Sequence, residues 1–234
     1  MTCYTADMRS YRQYCAMAKA LDVVGDRWTL LIVRELLLRD GLRYTDLQAG
    51  LPGIATNLLA DRLRQLERAS VVSREDAQPP VATTLYHLTP RGRALRPVLK
   101  ALGRWGGPLL AEASDDDAFL GHWLALPAEV LLGDLLAAGP PLTIELRAED
   151  GLPVTLTAAD GEVQASVGSA EQADLRISGP HRAIVRLLAG RADPAAAKAA
   201  GVSLDGDLAA LARLAPVDPA RGPRWAASDD APRV

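Results

Sequence analysis

Little in this chain supports disulfide, metal or membrane chemistry. Among 234 residues there are two cysteines, three histidines and one phenylalanine. Cys3 and Cys15 cannot build a disulfide framework in a chain of this size. The histidines, His87, His122 and His181, are scattered without metal-ligand spacing, so no metal site is expected. No run of about 18 apolar residues is present, and the opening MTCYTADMRSYRQYC lacks the apolar core of a signal peptide. Neither membrane insertion nor export is expected, and the reading is a cytoplasmic protein. Catalytic signatures are missing too: there is no G-x-S-x-G elbow, phosphate-binding loop or dinucleotide fingerprint, and the Asp-Gly pairs fall where hairpin turns need them. No catalytic residue and no cofactor is assigned, and the chain is not expected to be an enzyme.

What is present is enough apolar material for two modest cores, at 49% hydrophobic and 24% charged residues. The formal net charge of -3 hides a split. Residues 1–112 carry 16 Lys and Arg against 11 Asp and Glu, a balance of +5, and the remainder carries 10 against 18, a balance of -8. A basic half joined to an acidic half is what a nucleic-acid reader coupled to a non-binding module would show.

In the basic half, Cys15 to Val24 reads as a helix closed by Gly25, and Asp26 is a candidate N-cap for an apolar helix from Trp28 to Leu38. Tyr44 to Leu47 begins a short third helix, ended by Gly50-Leu51-Pro52-Gly53. The stretch Ile54 to Ser70 then places Leu59, Leu63 and Leu66 on one helical face and Asn57, Asp61, Arg64 and Arg68 on the other. Such a face is often merely solvated. Here it is the second helix of a helix-turn-helix order, in which that element enters the major groove of DNA. Val71 to Arg74 and Thr83 to Leu88 read as a hairpin wing around the turn at Glu75 to Pro80. Thr89-Pro90 opens a long helix, Arg91 to about Ala113, whose stripe of Leu95, Val98, Leu99, Leu102, Trp105 and Leu109 suggests a homodimer contact.

The runs ALDVVGDRWTLLIVREL, RYTDLQAGLPGIATNLLADRLRQLE and YHLTPRG resemble the HxlR family of winged helix-turn-helix regulators over roughly residues 15–112. The resemblance implies a homodimer that binds double-stranded DNA, usually at an inverted repeat, and the role expected of this chain is that of a repressor. The DNA-contacting candidates are Arg43, Thr45, Thr56, Asn57, Asp61, Arg62, Arg64, Arg68 and Arg74, with Arg62, Arg64 and Arg68 expected to meet phosphates. Two positions depart from the family pattern: Ala55 stands where a serine is common and Asn57 where a lysine is common. Redox-sensing relatives of the family make Cys15 a second input candidate, since a thiol at a helix start can become reactive. A small buried residue is the plainer reading of that cysteine.

The acidic half begins at Ser114-Asp115-Asp116-Asp117, followed by a helix expected over Ala118 to Ala137. Leu142 to Ala148, Val154 to Ala158 and Glu162 to Val167 alternate apolar and polar residues and read as an antiparallel meander, with a fourth strand at Asp174 to Ser178. Helices are expected at Pro180 to Ala189 and Leu208 to Leu214. The segment from Ala173 to Leu214 resembles the C-terminal part of sterol-carrier-protein-like domains, which implies an apolar tunnel. Trp123, Leu126, Val130, Leu146 and Leu156 are the candidates to line it for a hydrophobic small-molecule effector. An ordinary core is the competing reading.

The expected fold is therefore α+β: a winged helix-turn-helix DNA-binding and dimerisation domain over residues 1–113, a connecting helix over 114–139, a sterol-carrier-protein-like α/β domain with a mostly antiparallel sheet over 140–216, and a loose tail over 217–234. A carrier or scavenger of apolar metabolites, with the helix-turn-helix serving only to dimerise, is the alternative of a different class.

Overall fold

The computed structural model describes residues 10–77, 83–137, 139–149, 151–207 and 210. The chain divides into two compact units, residues 1–99 and 100–234, so the expected boundary after residue 113 lies inside the second.

The first unit runs α1 (Ala16–Val24), α2 (Thr29–Leu38), β1 (Leu42–Arg43), α3 (Tyr44–Ala49), α4 (Thr56–Arg68), β2 (Val72–Ala77), β3 (Thr83–Leu88) and α5 (Pro90–Arg93), and ends within α6 (Arg96–Gly106). Its core is built around α2, where Ile32, Val33, Leu36 and Leu38 are buried, and it is closed by Leu47, Leu51, Leu59, Leu63, Leu66, Val71 and Leu88. The three leucines of α4 recur at three- and four-residue steps and supply that helix's whole buried face. The helix stops in a Schellman turn. Ser70 takes a left-handed conformation with φ of 55°, Val71 N–H bonds the Leu66 carbonyl and Ser70 N–H that of Glu67, which delivers the chain directly into β2.

Two expectations are corrected here. Asp26 is not the N-cap of α2; Trp28 occupies that position without a side-chain cap, and the Asp26 carboxylate is taken by Arg62. The wing strand β2 runs on through Ala77, so Glu75 and Asp76 are ladder residues opposite Leu85 and Thr84. A short strand, β1, pairs with β3 on its other side, giving the order β1-β3-β2. The wing tip lies outside the described residues.

The single helix expected from Arg91 to Ala113 is three pieces: α5, α6 and a 3-10 segment over Gly107–Glu112. Pro97 lacks the N–H that the Arg93 carbonyl would need, and Gly106-Gly107-Pro108 ends α6 in the same way. Leu99 is buried, whereas Val98, Leu102, Trp105, Leu109 and Leu110 are exposed.

The second unit holds a 3-10 turn (Gly121–Leu124), α7 (Ala125–Ala137), β4 (Leu142–Ala148), β5 (Val154–Ala159), β6 (Glu162–Val167), β7 (Leu175–Gly179), α8 (His181–Leu188), α9 (Pro194–Ala199) and β8 (Ser203–Gly206). Residues 118–120 are not helical, so the expected helix from Ala118 starts late; Pro127 then sits in the first turn of α7, where a missing N–H costs nothing. The sheet order is β6-β5-β4-β7-β8. The first three strands form the expected antiparallel meander, but β7 crosses over to pair parallel with β4. Strand β8 and helix α9 were not anticipated. The helix expected over Leu208 to Leu214 and the tail fall almost wholly outside the described residues.

Alternation sorts this sheet into two faces. Leu142, Ile144, Leu146, Val154, Leu156, Ala158, Ala165, Leu175 and Ile177 are buried on one, under α7 and α8. Thr143, Glu145, Arg147, Thr157, Ser166 and Arg176 lie on the other. Glu145 is nevertheless only 2% exposed, because the crossover loop folds back over it. Its carboxylate accepts from Ala170 N–H at 2.9 Å and from Arg147 Nη2 at 2.8 Å. Thr155 Oγ1 pins the same loop through the Gly168 carbonyl at 2.8 Å.

Candidate nucleic-acid interface

Helix α4 separates its residues cleanly. Asn57, Asp61, Arg64 and Arg68 are exposed, opposite the buried leucines, and Thr56 is exposed at the start of the helix. Asp61 and Arg64 pair with one another across one helical turn on the open face. Arg62 is different: its guanidinium is held by Asp26, ahead of α2, and by Gln65, which fixes the helix against the body of the unit instead of projecting from it.

The N-terminal end of α4 is gripped by α3. Tyr44 Oη donates to the Thr56 carbonyl at 2.6 Å, and Gln48 Nε2 donates to Thr56 Oγ1 at 2.9 Å. Neither Tyr44 nor Gln48 was singled out in the sequence. The signal available was their four-residue spacing, which puts both on one face of α3. Arg43 and Thr45, at the start of α3, are exposed, and the Arg43 backbone N–H is held by the Asp46 carboxylate at 3.2 Å. The structure therefore brings Arg43, Thr45, Thr56 and Asn57 to neighbouring helix starts. Arg74 is exposed on β2, opposite Tyr86 of β3. Burial raises the Tyr86 phenol above its ordinary value and the Glu67 charge adds to this, while Arg74 opposes both.

Beneath the turn from α3 to α4 lies a buried ionic cluster. Glu35, fully buried in α2, accepts from Arg34 Nη2 at 2.9 Å and from Arg39 Nη2 at 2.7 Å. Burial lowers the Arg34 guanidinium from its ordinary value, with Glu35 opposing the shift. Gly50 closes over this cluster, and a Cβ there would stand 2.7 Å from Arg39 Nη2 and 2.9 Å from Glu35 Cδ. The turn thus needs glycine for close approach.

The other candidates sit elsewhere. Leu126, Val130, Leu146 and Leu156 are core residues of the second unit, and Trp123 is half-buried, meeting Phe119 edge-on at 6.3 Å. Cys15 is an exposed free thiol at the N-cap of α1, which corrects the plainer reading of a small buried residue; Cys3 lies outside the described residues. Among the described residues no group of three His, Cys, Asp or Glu is arranged to hold a metal ion, and no helix is long and apolar enough to cross a membrane.

Residues 117–213 match the model of the MDMPI C-terminal domain. The helix-turn-helix-type transcriptional regulator YodB of Bacillus subtilis is 32% identical over 38% of this chain and 79% of its own length. A solved structure of the reduced form of YodB covers 44% of this chain and all of its own, at 26% identity and a TM-score of 0.38. The helix-turn-helix-type regulator YvaP of the same organism is 36% identical over 37% of this chain and 80% of its own length. Residues 23–114 match the HxlR-like helix-turn-helix model, and with that match and these relatives the chain belongs to the HxlR-like family of transcriptional regulators.

Proposed function

We propose that the protein is a cytoplasmic repressor that binds, as a homodimer, an inverted-repeat operator through the exposed face of α4. The observation that carries this is the division of α4 itself: three leucines anchor it, Arg62 ties it down, and Asn57, Asp61, Arg64 and Arg68 stay clear of the core. Asn57 is suited to bidentate reading of adenine, and Arg43, Arg68 and Arg74 to phosphates. The exposed Leu102, Trp105 and Leu109 support dimerisation through α6 and the segment after it. Selection from a random-sequence duplex library by the full-length protein, followed by footprinting, tests the reading. Two protected half-sites about 10 base pairs apart are expected, with log K falling against log salt by roughly 0.9 per phosphate neutralised. A monomeric footprint would remove the dimer, for which Trp105→Asp is the matching disruption. Leu99→Asp is unsuitable, because Leu99 belongs to the core.

Two inputs are carried with this reading. The partial exposure of Trp123 beside Leu126 and Val130 supports a sterol-carrier-like receptor for an apolar effector in the second unit, entered at the Trp123 end of α7. An effector that weakens operator binding must itself bind more weakly when operator is present, with a coupling of about 1–3 kcal/mol, and Trp fluorescence titration with and without operator reads it. Effector binding that is indifferent to DNA would instead favour the carrier reading. The exposure of Cys15 supports the redox alternative, for which loss of an oxidant response in Cys15→Ser is the test.

A further inference from the structure

We propose that Gln48 and Tyr44 are positioning residues that turn Thr56 into a donor aimed at a DNA phosphate. The proposal rests on the DNA-binding reading of α4 and names a device within it. A hydroxyl carries one proton and two lone pairs. Gln48 Nε2 donates into Thr56 Oγ1 at 2.9 Å, so the accepting side of that oxygen faces back toward α3 and its proton must leave in another direction. Tyr44 Oη holds the Thr56 carbonyl at 2.6 Å from the same helix, so backbone and side chain of one residue are fixed together. Thr56 is exposed, no described residue accepts its proton, and Ala55 ahead of it offers no competing side-chain oxygen. One lone pair of that oxygen is spent on Gln48 and its proton is not, so the hydroxyl is matched to an acceptor, and a phosphate oxygen is a group that accepts only. A contact of this kind fixes the register of the protein on the duplex, so that Asn57, the next residue, meets the same base edge each time.

The test uses the full-length protein and the duplex it enriches from the random library, with thermal melting to show that each variant is folded. Thr56→Ser keeps the hydroxyl and is expected to stay within about two-fold of the parent, while Thr56→Val loses about five-fold in affinity. Gln48→Ala loses a comparable factor in the parent and almost none in the Thr56→Val background, because its effect passes through that hydroxyl. The slope of log K against log salt stays unchanged in Thr56→Val, since a neutral donor releases no counterion, whereas Arg43→Ala lowers the slope by about 0.9 if it meets a phosphate. Scanning the duplex with single methylphosphonates, each as its separate Rp and Sp isomer so that either non-bridging oxygen is removed in turn, is expected to find one position and isomer at which Thr56→Val no longer matters. An equal loss from Gln48→Ala in both backgrounds, or a Thr56→Val loss that persists at every methylphosphonate, overturns the proposal alone; the latter result assigns Thr56 to a base. Failure to enrich any duplex overturns the DNA-binding reading and this device with it.

Discussion

Helices α4 and α7 are each 13 residues long and end in opposite situations. In α4 three residues are buried and the polar side is left open. In α7 Ala125, Leu126, Ala128, Val130, Leu131, Leu132 and Leu136 are all buried, and so is Glu129. A helix apolar on most sides is an internal packing element, whereas a helix with one narrow apolar stripe has a face to spare. The contrast extends to their carboxylates. Asp61 of α4 pairs with its own helix neighbour in solvent, while Glu129 of α7 accepts the Ala165 N–H of edge strand β6 at 2.7 Å and lies 3.6 Å from Lys100 Nζ. On α7 a charge closes a sheet edge that would otherwise leave a buried donor unmet. On α4 the charge remains available to a partner.

Removing each carboxylate is the sharpest way to break this comparison. Glu129→Ala orphans the buried Ala165 N–H and is expected to cost about 1–3 kcal/mol, with more lost if Lys100 cannot reorient toward water. Asp61→Ala is expected to lie within about 0.5 kcal/mol of the parent. Urea unfolding of both variants measures the difference, and equal stabilities would show that Glu129 is as dispensable as a surface group. Operator binding should reverse the ranking, with Asp61→Ala changing sequence preference at one base pair by about 1–3 kcal/mol while leaving other positions alone.

Arg62 and Arg64 give a smaller contrast within a single helix. Two residues apart, they point in different directions, one to Asp26 and Gln65 and the other to the open face. Arg62→Ala is expected to cost about 1 kcal/mol of stability through its lost ion pair and packed stem, since Asp26 is half in solvent. Arg64→Ala should leave thermal stability unchanged and weaken operator binding. A variant pair in which Arg64 governs stability and Arg62 governs binding would invert the assignment of α4's faces.

The spacing of Leu59, Leu63 and Leu66 made α4 legible from the chain, and the alternation in β4, β5 and β6 made the meander legible, because one buried face imposes a period on each. The elements that escaped lack such a period. Strand β1 is two residues long and exists through its pairing with Tyr86 and Leu85, and β8 lies between glycines where Leu-Asp-Gly-Asp reads as a turn. The crossover that sets β7 beside β4 depends on Glu145 holding Ala170, a contact 25 residues apart in the chain. At the candidate interface the exposed residues of α4 could be named in advance, but the role of Arg62 could not, because its partner Asp26 is 36 residues away and looked like a helix cap. Local pattern reports which face is free; which charged group has been spent on the fold is a tertiary fact.

The smallest expected effect concerns α1, a third kind of helix in which Ala18 alone is buried. Asp22 of α1 ties the preceding arm back along it, accepting the Tyr11 N–H at 2.9 Å and the Ser10 hydroxyl at 2.8 Å, with Lys19 Nζ at 3.4 Å. The Tyr11 N–H, followed by the Ser10 hydroxyl, holds the Asp22 carboxyl below its ordinary value of 3.8. Because the folded value is the lower one, the tie is fully present above that ordinary value and is lost as the pH falls through the depressed one. The Tyr11 amide should therefore be protected from hydrogen exchange at neutral pH and lose protection in acid before the buried amides of α4 do. Asp22→Asn, which cannot titrate, should flatten that dependence while leaving the rest of the unit unchanged. Tyr11 protection that is the same in Asp22→Ala as in the parent would show that the arm is held by something other than this carboxylate.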